Sequence, residues 1–165
     1  MLERIWSGWR AAYVGGDRPD DHGSSSPFTQ LLESGASDED THIVHRSRHV
    51  FAIMNLFPYS SGHLLVVPYR EVPDLSDLDA DETTDLWTTV TAGVAAVRAA
   101  YSPQGLNVGL NLGRPAGGSI PSHLHAHVVP RWTGDSNFMS SVANTQTLPE
   151  ALDASAARIR AAWPA

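Results

Sequence analysis

The chain predicts an α+β fold with a mostly antiparallel sheet, on three observations. Short apolar stretches follow one another closely at 42–46, 49–55 and 63–67, separated by turns and a loop. One long helical stripe fills 80–100. Two further alternating stretches follow at 105–113 and 123–129, and a helical pattern closes the chain. Hairpins with helices segregated from them imply a sheet of about five strands with the long helix packed on it. At 165 residues the chain is most simply one domain. Its divisions are an N-terminal helix and loop at 1–40, a core at 42–132 and a C-terminal loop and helix at 133–165.

Each element has its own signal. Leu2, Ile5, Trp6, Trp9 and Tyr13 recur at helical spacing and end near Gly15-Gly16. Pro27 to Glu33 reads as a helical turn or two. The strands at 42–46 and 49–55 meet at Ser47-Arg48, and Pro68 stops the apolar strand at 63–67. Asp79 and Glu82 form a capping-box pattern ahead of the stripe Leu86, Val90, Val94 and Val97, and Ser102-Pro103 ends that helix. Leu106, Val108, Leu110 and Leu112 alternate with Asn107, Gly109 and Asn111, which predicts a half-buried strand. Residues 114–121 form a loop containing Gly117-Gly118-Ser119. Leu152, Ala156, Ile159 and Trp163 mark the last helix.

Composition excludes several chemistries. All 11 basic residues are Arg, so no lysine nucleophile or phosphate-loop lysine exists. The absence of Cys removes disulfides, thiol catalysis and thiolate-bound zinc. A net charge of −7 argues against non-specific binding to nucleic acid, although a local pocket can still hold a nucleotide. No stretch has the length and apolarity of a membrane span. Glu3, Arg4 and Arg10 interrupt the first apolar residues, so no secretory signal is expected and the cytoplasm is the expected location.

The chemistry concentrates in His123-Leu-His-Ala-His-Val-Val-Pro-Arg131. On a strand, alternate side chains share a face, so His123, His125 and His127 project together at steps of about 7 Å. Leu124, Ala126 and Val128 point into the core, and Pro130 stops the ladder. A two-histidine-plus-carboxylate metal site needs Asp or Glu nearby, and none follows until Asp135. The other reading is a histidine nucleophile, because imidazole is substantially neutral near pH 7. His22, His42, His45 and His49 show no ligand pattern and read as surface residues.

His-Leu-His-Ala-His-Val-Val resembles the histidine triad motif, and the likeness extends from about Val50 to Pro149, some three-fifths of the chain. Residues 55–68, 105–132 and 137–149 are most similar to the bacterial branch that contains diadenosine tetraphosphate phosphorylases. The resemblance implies a HIT-like fold and nucleotidyl transfer through a nucleotidyl-histidine at His125. It implies flanking roles for His127, at the non-bridging oxygens, and for His123, in orientation or at the leaving group. His63 matches a histidine that supports the triad. Ile53 and Phe57 would wall the base, Asn55 would meet the ribose, and Asn111, Gly118 and Ser119 would meet phosphate oxygens. Trp132 either caps the core or shapes the substrate pocket.

Related proteins often carry Cys-Pro-x-Cys, a pair that helps bind zinc, where this chain reads Ser26-Pro27-Phe28-Thr29, so no structural zinc is expected. No tightly bound cofactor is expected beyond Mg²⁺ accompanying a polyphosphate substrate. The expected reaction is phosphorolysis of diadenosine tetraphosphate to ADP and ATP. The alternative is a family hydrolase of dinucleoside polyphosphates or nucleoside phosphoramidates that uses water. A non-catalytic binding module and a metal-dependent enzyme are the readings outside this class. The expected partners are a nucleotide and inorganic phosphate, with a homodimer implied by the family and a tetramer conceivable through Trp6 and Trp9.

Overall fold

A computed structural model describes residues 25–135 and 150–164. In chain order the described elements are α1 (Pro27–Glu33), β1 (Ile43–Arg46), β2 (Val50–Met54), β3 (Leu64–Pro68), α2 (Ala80–Tyr101), β4 (Gly105–Leu110), β5 (Ala126–Arg131) and α3 (Leu152–Ala161). Short 3₁₀ turns occupy Leu75–Asp77 and Arg114–Ala116. The expected helix at Leu2 to Tyr13 lies outside the described residues, as does the likeness at 137–149.

The strands form one antiparallel sheet in the order β1-β2-β3-β5-β4. The register sorts the two faces. Val44, Val50, Ala52, Met54, Leu64, Val66, Ala126 and Val128 meet Leu86, Val90 and Val97 of α2 and Ala156 and Ile159 of α3. On the opposite face Ile43, Phe51, Ile53, Leu65 and Val67 pack against Phe28, Leu31 and Leu32 of α1 and against Ile120.

α2 starts where the sequence expects it. The Asp79 carboxylate accepts from the Glu82 amide at 2.8 Å, and Glu82 accepts from the Asp79 amide at 2.9 Å. Arg70 donates two further bonds to Glu82, which holds that carboxyl down at about 2. Gly93 lets α2 come close to the sheet, since a Cβ there would lie 2.8 Å from Leu64 Cδ2.

Three expectations change. β4 is half-buried only at Leu106 and Leu110, which pack on the core, while Val108 is 44% exposed and the strand, pairing among the described residues with β5 alone, forms an open edge. Alternation alone marks two faces but not whether anything covers the second. Pro130 does not stop its strand. Beyond Val128, β5 pairs with β4 alone, so the missing N–H costs no ladder bond on the β3 side. His42, His45 and His49 are half-buried packing residues and not simple surface ones. His42 Nε2 sits 2.6 Å from Asp153, and the His45 ring stacks on Trp163 at 4.6 Å. The fourth, His22, lies outside the described residues.

Candidate active site

The three triad histidines do not share one strand. β5 begins at Ala126, so only His127 lies in the ladder, opposite Leu65 and Gly109. His123 and His125 stand on the segment entering β5. That segment is fastened to the residues following β3, because the Leu124 amide donates to the Val72 carbonyl at 2.7 Å. The histidines nevertheless gather on the α1 face. The Phe28 ring lies 5.3 Å from His123 and 5.5 Å from His125, and His125 lies 5.0 Å from His127.

The hydrogen bonds assign a tautomer to each ring. His125 Nδ1 lies 2.8 Å from the His123 carbonyl, which can only accept. The proton of neutral His125 therefore sits on Nδ1, and Nε2 carries a lone pair. The Tyr59 amide donates to His63 Nδ1 at 3.0 Å, so His63 carries its proton on Nε2. That nitrogen lies 2.9 Å from His127 Nδ1, which must accept. Neutral His127 thus bears its proton on Nε2, 3.5 Å from the Asn111 amide nitrogen. His123 uses both nitrogens: Nε2–H donates to the Pro68 carbonyl at 2.8 Å, and Nδ1 accepts from the Ser26 hydroxyl at 2.5 Å.

Burial keeps all four rings neutral. Removing imidazolium from water costs free energy, which lowers the pKa. His63 falls to about 3, chiefly by desolvation and then by repulsion from His127 and His125. Desolvation brings His127 to about 4. His123 and His125 are lowered by the same cause, partly opposed by their bonds to the Pro68 and His123 carbonyls. A buried neutral imidazole with one nitrogen fixed as donor and the other bare is suited to attack phosphorus. His127 Nε2–H beside Asn111 is suited to donate to an oxygen on that phosphorus.

The remaining expected residues are placed as follows. His123 is fully buried with both nitrogens engaged, which suits orientation and leaves nothing to offer a leaving group. Asn111 places its own amide donor 3.5 Å from His127 Nε2–H, so the two donors lie side by side and do not bond each other. Both ends of the Asn55 amide are engaged, since Oδ1 accepts from the Phe57 amide at 3.0 Å and Nδ2 lies 3.3 Å from His63 Nδ1. Ile53 is buried in the core under α1, whereas Phe57 is 84% exposed on its loop. The Gly118 amide is spent within its own turn on the Gly113 carbonyl at 3.3 Å, while the next residue, Ser119, is exposed. Trp132 is not brought to the triad. Five extended residues beyond His127, roughly 16 Å of strand, it packs edge-on to Tyr101 of α2 at 6.4 Å.

Two site neighbours escaped the sequence reading. Phe28 supplies the apolar wall over His123 and His125. Tyr59 lies 4.8 Å from the His63 ring and parallel to His127 at 6.2 Å. The Pro27-Phe28 step and the Pro58-Tyr59 step are unremarkable in sequence, and only the fold brings Phe28 to His123 and His125 and Tyr59 to His127.

A family model described as the HIT domain matches residues 36–134. The chain belongs to the HIT family. AP-4-A phosphorylase of Mycobacterium tuberculosis is 41% identical to this HIT protein over 158 residues, 92% of this chain and 80% of that one. The asymmetrical bis(5'-nucleosyl)-tetraphosphatase of Schizosaccharomyces pombe is 38% identical over 93 residues, 56% of this chain and 50% of that one. Among solved structures, a HIT-like protein from Bartonella henselae superimposes with a TM-score of 0.69 at 27% identity, covering 87% of this chain and 97% of its own. A zinc-bound histidine triad protein from Mycobacterium smegmatis gives 0.67 at 25% identity, covering 84% and 92%. In this HIT protein the donors around residues 26–29 do not fit zinc. Ser26 and Thr29 offer neutral hydroxyls in place of thiolates, and they already bond to Glu71 and His123.

Proposed function

We propose that this HIT protein, a nucleotidyltransferase, phosphorolyses diadenosine tetraphosphate to ADP and ATP. One observation carries the chemistry: the His123 carbonyl holds His125 Nδ1–H at 2.8 Å and so presents a neutral Nε2 lone pair. A neutral nucleophile approaches an anionic α-phosphate without adding charge. His125 Nε2 bonds to the α-phosphorus, the bridging P–O bond breaks, and ATP departs. His127 Nε2–H hydrogen-bonds a non-bridging oxygen as charge builds there. Asn111 and Ser119 assist at the phosphate oxygens. Inorganic phosphate then attacks the nucleotidyl-histidine, the P–N bond breaks, and ADP leaves with His125 restored. Mg²⁺ accompanies the polyphosphate as its counter-ion and needs no dedicated protein cage.

The choice of phosphate as acceptor rests on the Mycobacterium tuberculosis relative, named AP-4-A phosphorylase. The Schizosaccharomyces pombe tetraphosphatase supports the second reading, in which water attacks and the products are AMP and ATP. Product analysis with diadenosine tetraphosphate and Mg²⁺, with and without inorganic phosphate, separates the two. The expected result is ADP plus ATP only when phosphate is present, with His125→Ala reduced roughly 10⁴-fold or more. AMP plus ATP irrespective of phosphate would establish the hydrolase instead.

The same reading pairs the protein as a homodimer and places it in the cytoplasm. The open edge of β4, with Val108 exposed on it and Leu112 exposed just beyond it, supports the pairing. No helix among the described residues is long and apolar enough to cross a membrane.

A further inference from the structure

The histidine cluster has an anchor outside the motif. Glu71 lies just after β3 on the segment that clamps the triad's first residues. Its Oε2 accepts the Ser26 amide at 2.8 Å and the Thr29 hydroxyl at 2.8 Å. Ser26 caps α1, its hydroxyl accepting the Thr29 amide at 3.1 Å. The Thr29 hydroxyl proton is committed to Glu71. The Ser26 hydroxyl proton is therefore left for His123 Nδ1, which must accept because Nε2–H is committed to the Pro68 carbonyl. Ser26 and His123 are both almost fully buried, so neither has water as an alternative partner. The path continues through one carbonyl, because His123 O is what fixes Nδ1–H of His125.

We propose that Glu71 is a positioning residue for nucleotidyl transfer: through Ser26 and Thr29 it sets the His123 ring, and through the His123 carbonyl it sets His125. Glu71 does not touch substrate in this scheme. It holds the α1 N-terminus in place, so that a hydroxyl meets His123 and Phe28 covers His125. A carboxylate suits the task because one oxygen accepts two donors at once, one from the backbone and one from a side chain. Its pairing with the Ser26 amide, the Thr29 hydroxyl and Ser122 also keeps it ionised, lowering its pKa below the ordinary glutamate value. The sequence separations explain why no local pattern reveals the path: Ser26 lies 45 residues from Glu71 and 97 from His123.

The turnover part of this inference rests on the phosphorolysis reading, and the hydrogen-bond part does not. The test therefore uses two readouts on the full chain. In steady state, Glu71→Ala is expected to lose about tenfold in kcat with KM within about twofold, the split expected when orientation and not binding is lost. Glu71→Gln, which keeps an acceptor oxygen, recovers most of the loss. Thr29→Val falls in the same direction, and Thr29→Ser recovers. Without substrate, ¹⁵N signals of the imidazole nitrogens are expected to place the His123 proton on Nε2, with Nδ1 strongly hydrogen-bonded. In Glu71→Ala the His123 and His125 signals shift, while those of His63 and His127 stay in place. If diadenosine tetraphosphate proves not to be the substrate, the ring signals still decide the network. Wild-type His123 signals in Glu71→Ala would overturn the proposal. So would displacement of all four rings with equal loss in the Ala and Gln variants, the behaviour of a residue that merely holds up the fold.

Discussion

The two faces of the sheet are buried by different means, the larger apolar cluster lying under α2 and α3 and the smaller under α1. Under α2 and α3 the contacts are mainly aliphatic, and the main demand is close packing of residues such as Leu86, Val97 and Ile159. Under α1 the same sheet buries imidazoles, each of which costs free energy unless both nitrogens are accounted for. The structure accounts for them by chains of partners: Tyr59 amide to His63 to His127, and Ser26 to His123 to His125. Only His125 Nε2 and the His127 Nε2–H beside Asn111 end these chains. The comparison shows where reactivity comes from in this fold. The apolar face supplies stability, and the polar face uses it to hold two ring nitrogens in a defined protonation state.

Substitutions on the two faces should therefore fail differently. His63→Leu removes the donor to His127 Nδ1 and frees its tautomer. Turnover should fall about a hundredfold, with thermal melting showing that the protein remains folded. If kcat survives, the His63–His127 chain is not functional. On the other face, Leu86→Ala should cost about 3 kcal/mol in urea unfolding while leaving kcat per folded molecule unchanged. A large kcat effect there would mean that the faces are coupled.

A smaller effect is expected from pH. His63 and His127 titrate near 3 and 4 when folded, below the 6.5 of an ordinary histidine. The unfolded chain therefore binds protons that the folded one refuses. Stability is fully present above pH 6.5 and declines as pH falls from there toward 3. Urea unfolding across that window should show the decline, and His63→Leu should flatten part of it. The smallest effect is at Trp132, which packs on α2 and not on the triad: Trp132→Phe should change kcat by no more than about twofold. A loss confined to kcat would place Trp132 in the site after all.

Much of this contrast is legible in the sequence, but unevenly. Apolar periodicity locates α2, α3 and all five strands, because repeating side-chain patterns are local. The Asp79/Glu82 box marks the start of α2 for the same reason. The histidine motif marks the chemistry. What it does not reveal is that His123 and His125 precede their strand, since an alternating pattern reads the same in an extended approach as in a ladder. The exposure of β4 is hidden because alternation carries no information about what lies alongside. Phe28 and Glu71 are invisible for a third reason, since each acts across the fold on a residue far away in the chain, and Tyr59 meets His63 within its own loop but His127 only across the fold.

The most direct measurement is to mix the enzyme with diadenosine tetraphosphate in the absence of phosphate, quench rapidly into alkali, where a phosphorus–nitrogen bond to histidine survives, and map the peptides by mass. The account predicts a nucleotidyl group on His125 and on no other residue, consumed when phosphate is added before the quench. Turnover with no modified histidine, or with the group on His127 or His63, would contradict it.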